Sequence, residues 1–305
     1  MIVRPHSHWI SLLFVWRGSV LHRILPRLMV VAAVSVLAVL ARGWWFNEHA
    51  NSSLSIPPFT LMGIALAIFL GFRNSVSYER YWEARKLWGG LLVAARSVMR
   101  QLHAAAPDHP ATARLGRGLA ACTYALLGQM RHTDQQAQLA RLLPAQLLPR
   151  VSEARFKPAF ILHWLGSECA TLLREGTLSE LQYQSIDENL NRLSEMIGGC
   201  ERIASTPIPF SYRVLLNRTV TLYCLLLPIG LATSTGWLTP LIAAFIAYTY
   251  MALDVIGDEL EDPFGMEPND LPLASLSHTI ESAIMDVLGE PLTEPAPQAH
   301  NYIMH

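Results

Sequence analysis

The sequence predicts an all-α membrane protein in which four membrane-spanning helices run on into a cytosolic helical bundle. Three observations lead there. The 305 residues are 51% hydrophobic and only 15% charged, with a mean hydropathy of +0.28, too apolar for an ordinary cytosolic protein. Uncharged runs long enough to cross a bilayer recur. Between them, apolar residues repeat at threes and fours, with no alternating pattern of strand length.

A crossing helix needs about 20 predominantly apolar residues, and four stretches qualify. The first runs from Leu28 to Phe46, with Arg42 placed to snorkel and Trp44 and Trp45 forming an interfacial belt. The second lies inside the charge-free interval Ala50 to Phe72 and starts near Pro57 and Pro58, which suit a first helical turn. From Thr219 to Leu253 there is no charged side chain, which is room for two further spans with "TSTGW" (Thr233 to Trp237) as the turn between them.

Arginine and lysine flank these spans on one side. Arg4, Arg17, Arg23 and Arg27 precede the first; Arg73, Arg80, Arg85 and Lys86 follow the second; Arg218 precedes the third. The two short connections hold only Arg42 between them, so both termini and the long middle are expected in the cytoplasm of a bacterium, with the spans in its inner membrane. The start of the chain lacks the signal-peptide pattern, because its apolar run begins late and continues too long. The predicted organisation is a cytosolic arm (1–27), a first helix pair (28–73), a cytosolic helical region (74–215), a second helix pair (216–256) and an acidic segment with its tail (257–305).

Within the cytosolic region, "LWGGLLVAARSVMRQL" and "IDENLNRLSEMIGGCERI" have helical periodicity, while "APDHPATA" and "LLPAQLLPR" divide it into several helices. After Glu290, "PLTEPAPQAHNYIMH" reads as an irregular extension. Cys122, Cys169, Cys200 and Cys224 lie far apart with no CxxC pair, and are expected as buried, reduced thiols. His6 and His8 could clip a metal or simply belong to a polar arm; no nearby carboxylate or cysteine completes a shell. A net charge of −1 with no basic run gives no reason to expect nucleic acid as a partner.

The second span carries two stripes. Residues four apart stay close to one helix face, so Gly63, Ala67 and Gly71 form a small-residue row suited to close helix packing. Ile64, Ile68 and Phe72 form a bulky row about 100° round the same helix. The bulky row suits a lipid-facing surface, a bundle core or the wall of a narrow pore. No proline or turn signal separates it from "RNSVSYERYWEARKLWG", so the span is expected to continue into the cytosolic layer. Arg73 would then line an inner mouth or, as preferred here, snorkel to lipid phosphate.

"GIALAIFLGFRNSVSYERYWEARKLWG" (Gly63 to Gly89), "TPIPFSYRVLLNRTV" (Thr206 to Val220) and "DELEDPFGMEPNDLPL" (Asp258 to Leu273) together resemble the bestrophins, most closely the bacterial branch. The resemblance covers almost the whole chain. It implies a symmetric homopentamer around one ion-conducting axis. It also implies that Ile64, Ile68 and Phe72 form the hydrophobic neck, and that Leu181, in "LSELQYQS", matches a second, cytosolic constriction. In animal relatives the acidic segment forms a calcium clasp; Asp262, Glu267 and Asp270 occupy the matching places, interrupted by Met266, Pro268 and Asn269. Helix capping or pairing with arginine is the competing, preferred role for these carboxylates, so no cofactor is firmly expected and calcium is a possibility only. The bacterial branch implies monovalent cations such as sodium, which is the expectation for this chain, and the acidic surface of the Asp254 to Asp270 segment is compatible with it; the animal branch implies chloride, the alternative.

A ring of apolar side chains offers nothing to replace an ion's hydration shell, so a narrow neck gates by dewetting and conduction requires dilation. No GxSxG, HExxH or P-loop pattern supports an enzyme. A transporter would show ionisable groups in mid-span or internal repeats. A non-conducting membrane-tethered scaffold remains as the rival class, and it predicts a monomer or dimer without ion flux.

Overall fold

The structure is a computed structural model that describes residues 1–3, 9–10, 15–16, 18–48, 56–300 and 302–304; side chains of 42–48 and of 56 are outside the description. The His6 and His8 pair, Arg4, Arg17, and the expected roles of Arg42, Trp44 and Trp45 therefore fall outside the described residues. Among the described residues, ten α-helices with describable bounds follow in order: α1 (Leu21–Glu48), α2 (Ile56–Ala105), α3 (Pro110–Arg131), α4 (Gln136–Leu142), α5 (Leu148–Glu153), α6 (Lys157–Arg174), α7 (Glu180–Ser205), α8 (Phe210–Thr235), α9 (Thr239–Glu261) and α10 (Leu273–Leu288). No strand occurs among the described residues. Isolated antiparallel bridges join Ile2 to Ile303 and His300 to Ile303 in the otherwise irregular tail.

The chain divides into two compact units, one of Met1–Pro5, Trp82–Thr206 and Asp262–His305, the other of His6–Tyr81 and Pro207–Glu261. Among the described residues, three stretches are long and apolar enough to cross a membrane: Leu21–Ala41, Pro57–Ala105 and Phe210–Glu261. The last is interrupted by a single 3-10 turn, Gly236–Leu238, which separates α8 from α9. Gly236 has φ +54 and ψ −128, a conformation that a side chain would oppose. The turn thus falls at the end of "TSTGW", and Tyr223 and Tyr250 meet edge to face with centroids 5.5 Å apart across the hairpin.

α2 is the longest element. It begins at Ile56, next to Pro57 and Pro58, and runs for 50 residues, about 75 Å at the usual helical rise. No proline interrupts it after its first turn, and it ends before Pro107. Its first half belongs to the membrane-type unit, where Leu66 and Leu70 enter a core with Ile24 and Val31 of α1, Leu227 of α8 and Ala247 of α9.

The other unit is a helical bundle whose helices approach through glycines. A Cβ at Gly118 would lie 2.5 Å from the Trp164 ring, one at Gly90 2.6 Å from Met196 Sδ, and one at Gly199 2.7 Å from a Leu87 methyl. Helix ends are capped locally. Ser179 and Gln182 form a reciprocal capping box at the start of α7, and the His109 ring accepts from Ala111 N at the start of α3. Cys122, Cys169, Cys200 and Cys224 are all buried and unbridged. Burial pushes the thiols of Cys122, Cys169 and Cys200 up to about 12, so none is a thiolate at neutral pH.

A buried ion pair joins α3, α4 and α10 in this bundle. Glu281, 1% exposed, accepts from Arg141 Nη1 and, at 3.0 Å, from Arg141 Nη2, and from Tyr124 Oη at 2.8 Å. Burial alone would raise the Glu281 carboxyl, but hydrogen bonds from Arg141 and Tyr124 hold it below its ordinary value. Its stabilisation is therefore complete at neutral pH and is lost as pH falls through the lowered value. Glu281→Ala is expected to cost roughly 3 kcal/mol by stranding Arg141, read as a lowered melting temperature. The native chain should keep this contribution near neutrality and lose it only as pH falls below the ordinary glutamate range.

Candidate functional site

The membrane-type unit fixes which way α2 faces. Gly63, Leu66, Leu70, Arg73 and Ser77 are buried along one side. Ile68 lies two residues from both Leu66 and Leu70, about 200° round the helix, so the bulky row points away from the protomer's own bundle. Ile64, Ile68 and Phe72 are 55%, 53% and 65% exposed. Exposed apolar side chains also cover α1, α8 and α9, as at Leu40, Leu222 and Phe245. Ser75 and Glu79, both exposed, follow the α2 row at spacings of three and four within the same unit.

Within the protomer the small-residue row is split. Gly63 packs inside the bundle, where a Cβ would stand 2.7 Å from Tyr223 Oη, and its carbonyl accepts from Tyr250 Oη at 2.9 Å. Ala67 and Gly71 are exposed, and a Cβ at Gly71 would meet nothing within 4 Å. Residues four apart advance about 400°, so the row drifts about 80° from Gly63 to Gly71, enough to leave the buried face.

Arg73 neither lines an inner mouth nor snorkels to lipid within this unit, because it is 1% exposed. Its Nη1 donates to Asp254 Oδ1 at 2.5 Å and to the Asp254 carbonyl at 3.3 Å; its Nη2 donates to Asp258 Oδ1 and lies 3.7 Å from Glu261 Oε2. Asp254 Oδ2 accepts from Asn217 Nδ2 of α8 at 3.2 Å, and Arg23 of α1 pairs with Glu259 at 3.2 Å. Gly257 leaves room for this junction: a Cβ there would stand 2.8 Å from Asn74 Oδ1 and 3.5 Å from Arg73 Nε. The charges near the α9 end that looked like a free acidic surface are thus largely bound to arginine. Sequence reasoning missed Asp254 as a partner, although a lone carboxylate closing a long uncharged run was the signal that it needed one.

Leu181 sits in the first turn of α7 and is 80% exposed. Beside it, Arg100, Gln101, Gln182 and Ser185 line a shallow cavity of about 300 Å³. The acidic loop is built as a clamped turn. Asp270 is buried, and its Oδ2 accepts from Glu267 N at 2.7 Å; Leu271 N donates to Pro263 O at 3.0 Å. Arg131 donates to the carbonyls of Phe264 at 3.2 Å and Leu271 at 2.9 Å. Asp262 and Glu267 are exposed. Among the described residues no group of three or more His, Cys, Asp or Glu is arranged to hold a metal. Calcium takes six to eight oxygens, and the Asp262, Glu267 and Asp270 set does not fit it.

An all-helical unit with bilayer-length apolar helices, one of them presenting apolar side chains away from its own bundle, has the make-up of a helical membrane protein. Residues 1–286 match the family described as Bacterial/Fungal Bestrophin protein. A Ralstonia nicotianae protein named voltage-dependent anion channel-forming protein is 46% identical over 307 residues, covering 100% of both chains. Its Escherichia coli K12 counterpart YneE, of the same name, is 40% identical over 95% of each. The crystal structure of a bacterial bestrophin homolog from Klebsiella pneumoniae superposes with a TM-score of 0.85 at 41% identity, over 88% of this chain and 100% of that one. The chain belongs to the bestrophin family.

Gly63→Ala should lower protomer stability by about 1–3 kcal/mol through overpacking against Tyr223, whereas Gly71→Ala should leave it unchanged. Thermal melting of the two variants in detergent, at concentrations that keep the chain monomeric, distinguishes them.

Proposed function

We propose that this chain is one subunit of a homopentameric ion channel of a bacterial inner membrane, with Ile64, Ile68 and Phe72 forming a hydrophobic neck on the central axis. The observation that carries this reading is the direction of the row. It faces away from the protomer's bundle, so it is free to line an axis shared with neighbouring copies. Membership of the bestrophin family and the names of the bacterial relatives support ion conduction. Ala67 and Gly71, exposed beside the row, suit close approach of a neighbouring subunit. Leu181, exposed at the start of α7, is the proposed cytosolic constriction. Four spans with both termini cytoplasmic, divided at 28–73 and 216–256, complete the reading.

The neck carries no charge, so the sign of the ion is not set there. Sodium follows from the resemblance to the bacterial branch. The local argument for cations, an acidic surface at 254–270, is weakened by the pairing of Asp254, Asp258 and Glu259 with arginine. The names of the relatives favour anions, which is the second reading.

In proteoliposomes under opposed sodium and chloride gradients, Ile68→Ala should raise basal flux over the native chain. Reversal near the sodium potential assigns cations, and reversal near the chloride potential assigns anions. No flux from either chain, correctly inserted, returns the protein to the scaffold class. Gly71→Leu should reduce the pentamer fraction on native mass spectrometry; unchanged pentamers would remove Gly71 from the subunit contact.

A further inference from the structure

We propose that Arg73 is a positioning residue for the neck. By holding Asp254 and Asp258 it fixes the rotation of α2 about its own axis, and so the direction in which Ile64, Ile68 and Phe72 point. This inference rests on the channel reading above.

The close packing at Gly63 and the burial of Leu66 and Leu70 give α2 a preferred face. Apolar contact is itself non-directional, so directional contacts narrow the rotation further. Among the described residues of the membrane-type unit, three are made by residues 63–73: Tyr250 Oη to Gly63 O at 2.9 Å, Tyr212 Oη to Phe69 O at 3.3 Å, and the Arg73 fork. The tyrosine bonds grip the backbone. Only the fork grips a side chain, through charged bonds to two separate carboxylates, with Asp254 tied in turn to Asn217 on α8.

Its place in the sequence gives it leverage. Arg73 follows Phe72 directly and leaves the helix about 100° from it, at the edge of the buried side. On the other flank of the bulky row, also about 100° away, lies the row of Gly63, Ala67 and Gly71. A partial turn of α2 in that sense would replace isoleucine and phenylalanine with alanine and glycine at the axis, widening the ring without any change of sequence there. Lysine would retain the charge but, as a point donor without the planar fork, would hold the rotation less well.

The test compares native chain, Arg73→Gln, Arg73→Lys, Ile68→Ala and the double variant Ile68→Ala with Arg73→Gln, each full length, reconstituted and checked for ring size by native mass spectrometry. Arg73→Gln is expected to raise basal flux about tenfold with the ring intact, Arg73→Lys by less, and Arg73→Gln to add under about twofold once Ile68 is already alanine. Loss of a merely structural contact would change flux by the same factor in both backgrounds. Equal factors, or no change on the native background, overturn the proposal. Should Arg73→Gln fail to assemble, Asp258→Asn, which removes one arm of the fork and leaves the other, is read by the same two criteria. If Ile68→Ala and the native chain both fail to conduct, the channel reading falls and this inference with it; if Ile68→Ala conducts, only the role of Arg73 is at stake.

Discussion

A guanidinium with almost no solvent contact is the constraint around which the membrane-type unit is arranged. Stranding such a charge costs several kcal/mol, and the chain meets that cost from two helices. The last turns of α9 supply Asp254, Asp258 and Glu261, while Asn217 of α8 takes the remaining oxygen of Asp254. A glycine at 257 keeps the space open beside Asn74 and Arg73. Once Arg73 is satisfied inside the bundle, Leu66 and Leu70 are inside as well, and the opposite face of the same helix is left to face outward. The exposed row of Ile64, Ile68 and Phe72 is thus the geometric complement of a buried ion cluster.

This also alters the electrostatic picture of the α9 end. Counted along the sequence, four carboxylates between 254 and 261 form an acidic surface. In three dimensions Arg73 and Arg23 engage them, and Arg80 Nε donates to the Glu261 carbonyl at 3.2 Å. The acidic run that follows is likewise absorbed into local structure, with Asp270 closing its own turn and Arg131 holding two carbonyls of the loop.

Much of the architecture was legible because its signals are local. Uncharged runs marked the apolar helices, the two proline clusters marked the ends of α2 and α4, and "TSTGW" held the glycine that turns α8 into α9. The i, i+4, i+8 spacing identified the bulky row. The ion cluster was illegible for the opposite reason: its halves lie far apart in the chain. At the end of a span, Arg73 has the look of an ordinary topology signal. Nor could spacing show that Gly63 and Gly71 part company, because a straight helix drifts and only the position of the neighbours decides where the buried face ends. Leu181 was placed by resemblance alone; the capping box beside it, Ser-x-x-Gln, was readable from the residues themselves.

The glycine sockets of the helical bundle bear on which substitutions the protein can accept. "GG" occurs at 89–90 and at 198–199, and each doublet looks like a single flexible or close-packing signal. Within the protomer only one member of each pair is constrained: Gly90 and Gly199 receive Met196 and Leu87, whereas a side chain at Gly89 or Gly198 would meet nothing within 4 Å. The doublets therefore combine a position where an added side chain must displace Met196 or Leu87 with one that meets nothing within the protomer. Variation at the first residue of each pair leaves the contact between α2 and α7 as it is, and variation at the second requires the facing side chain to shift.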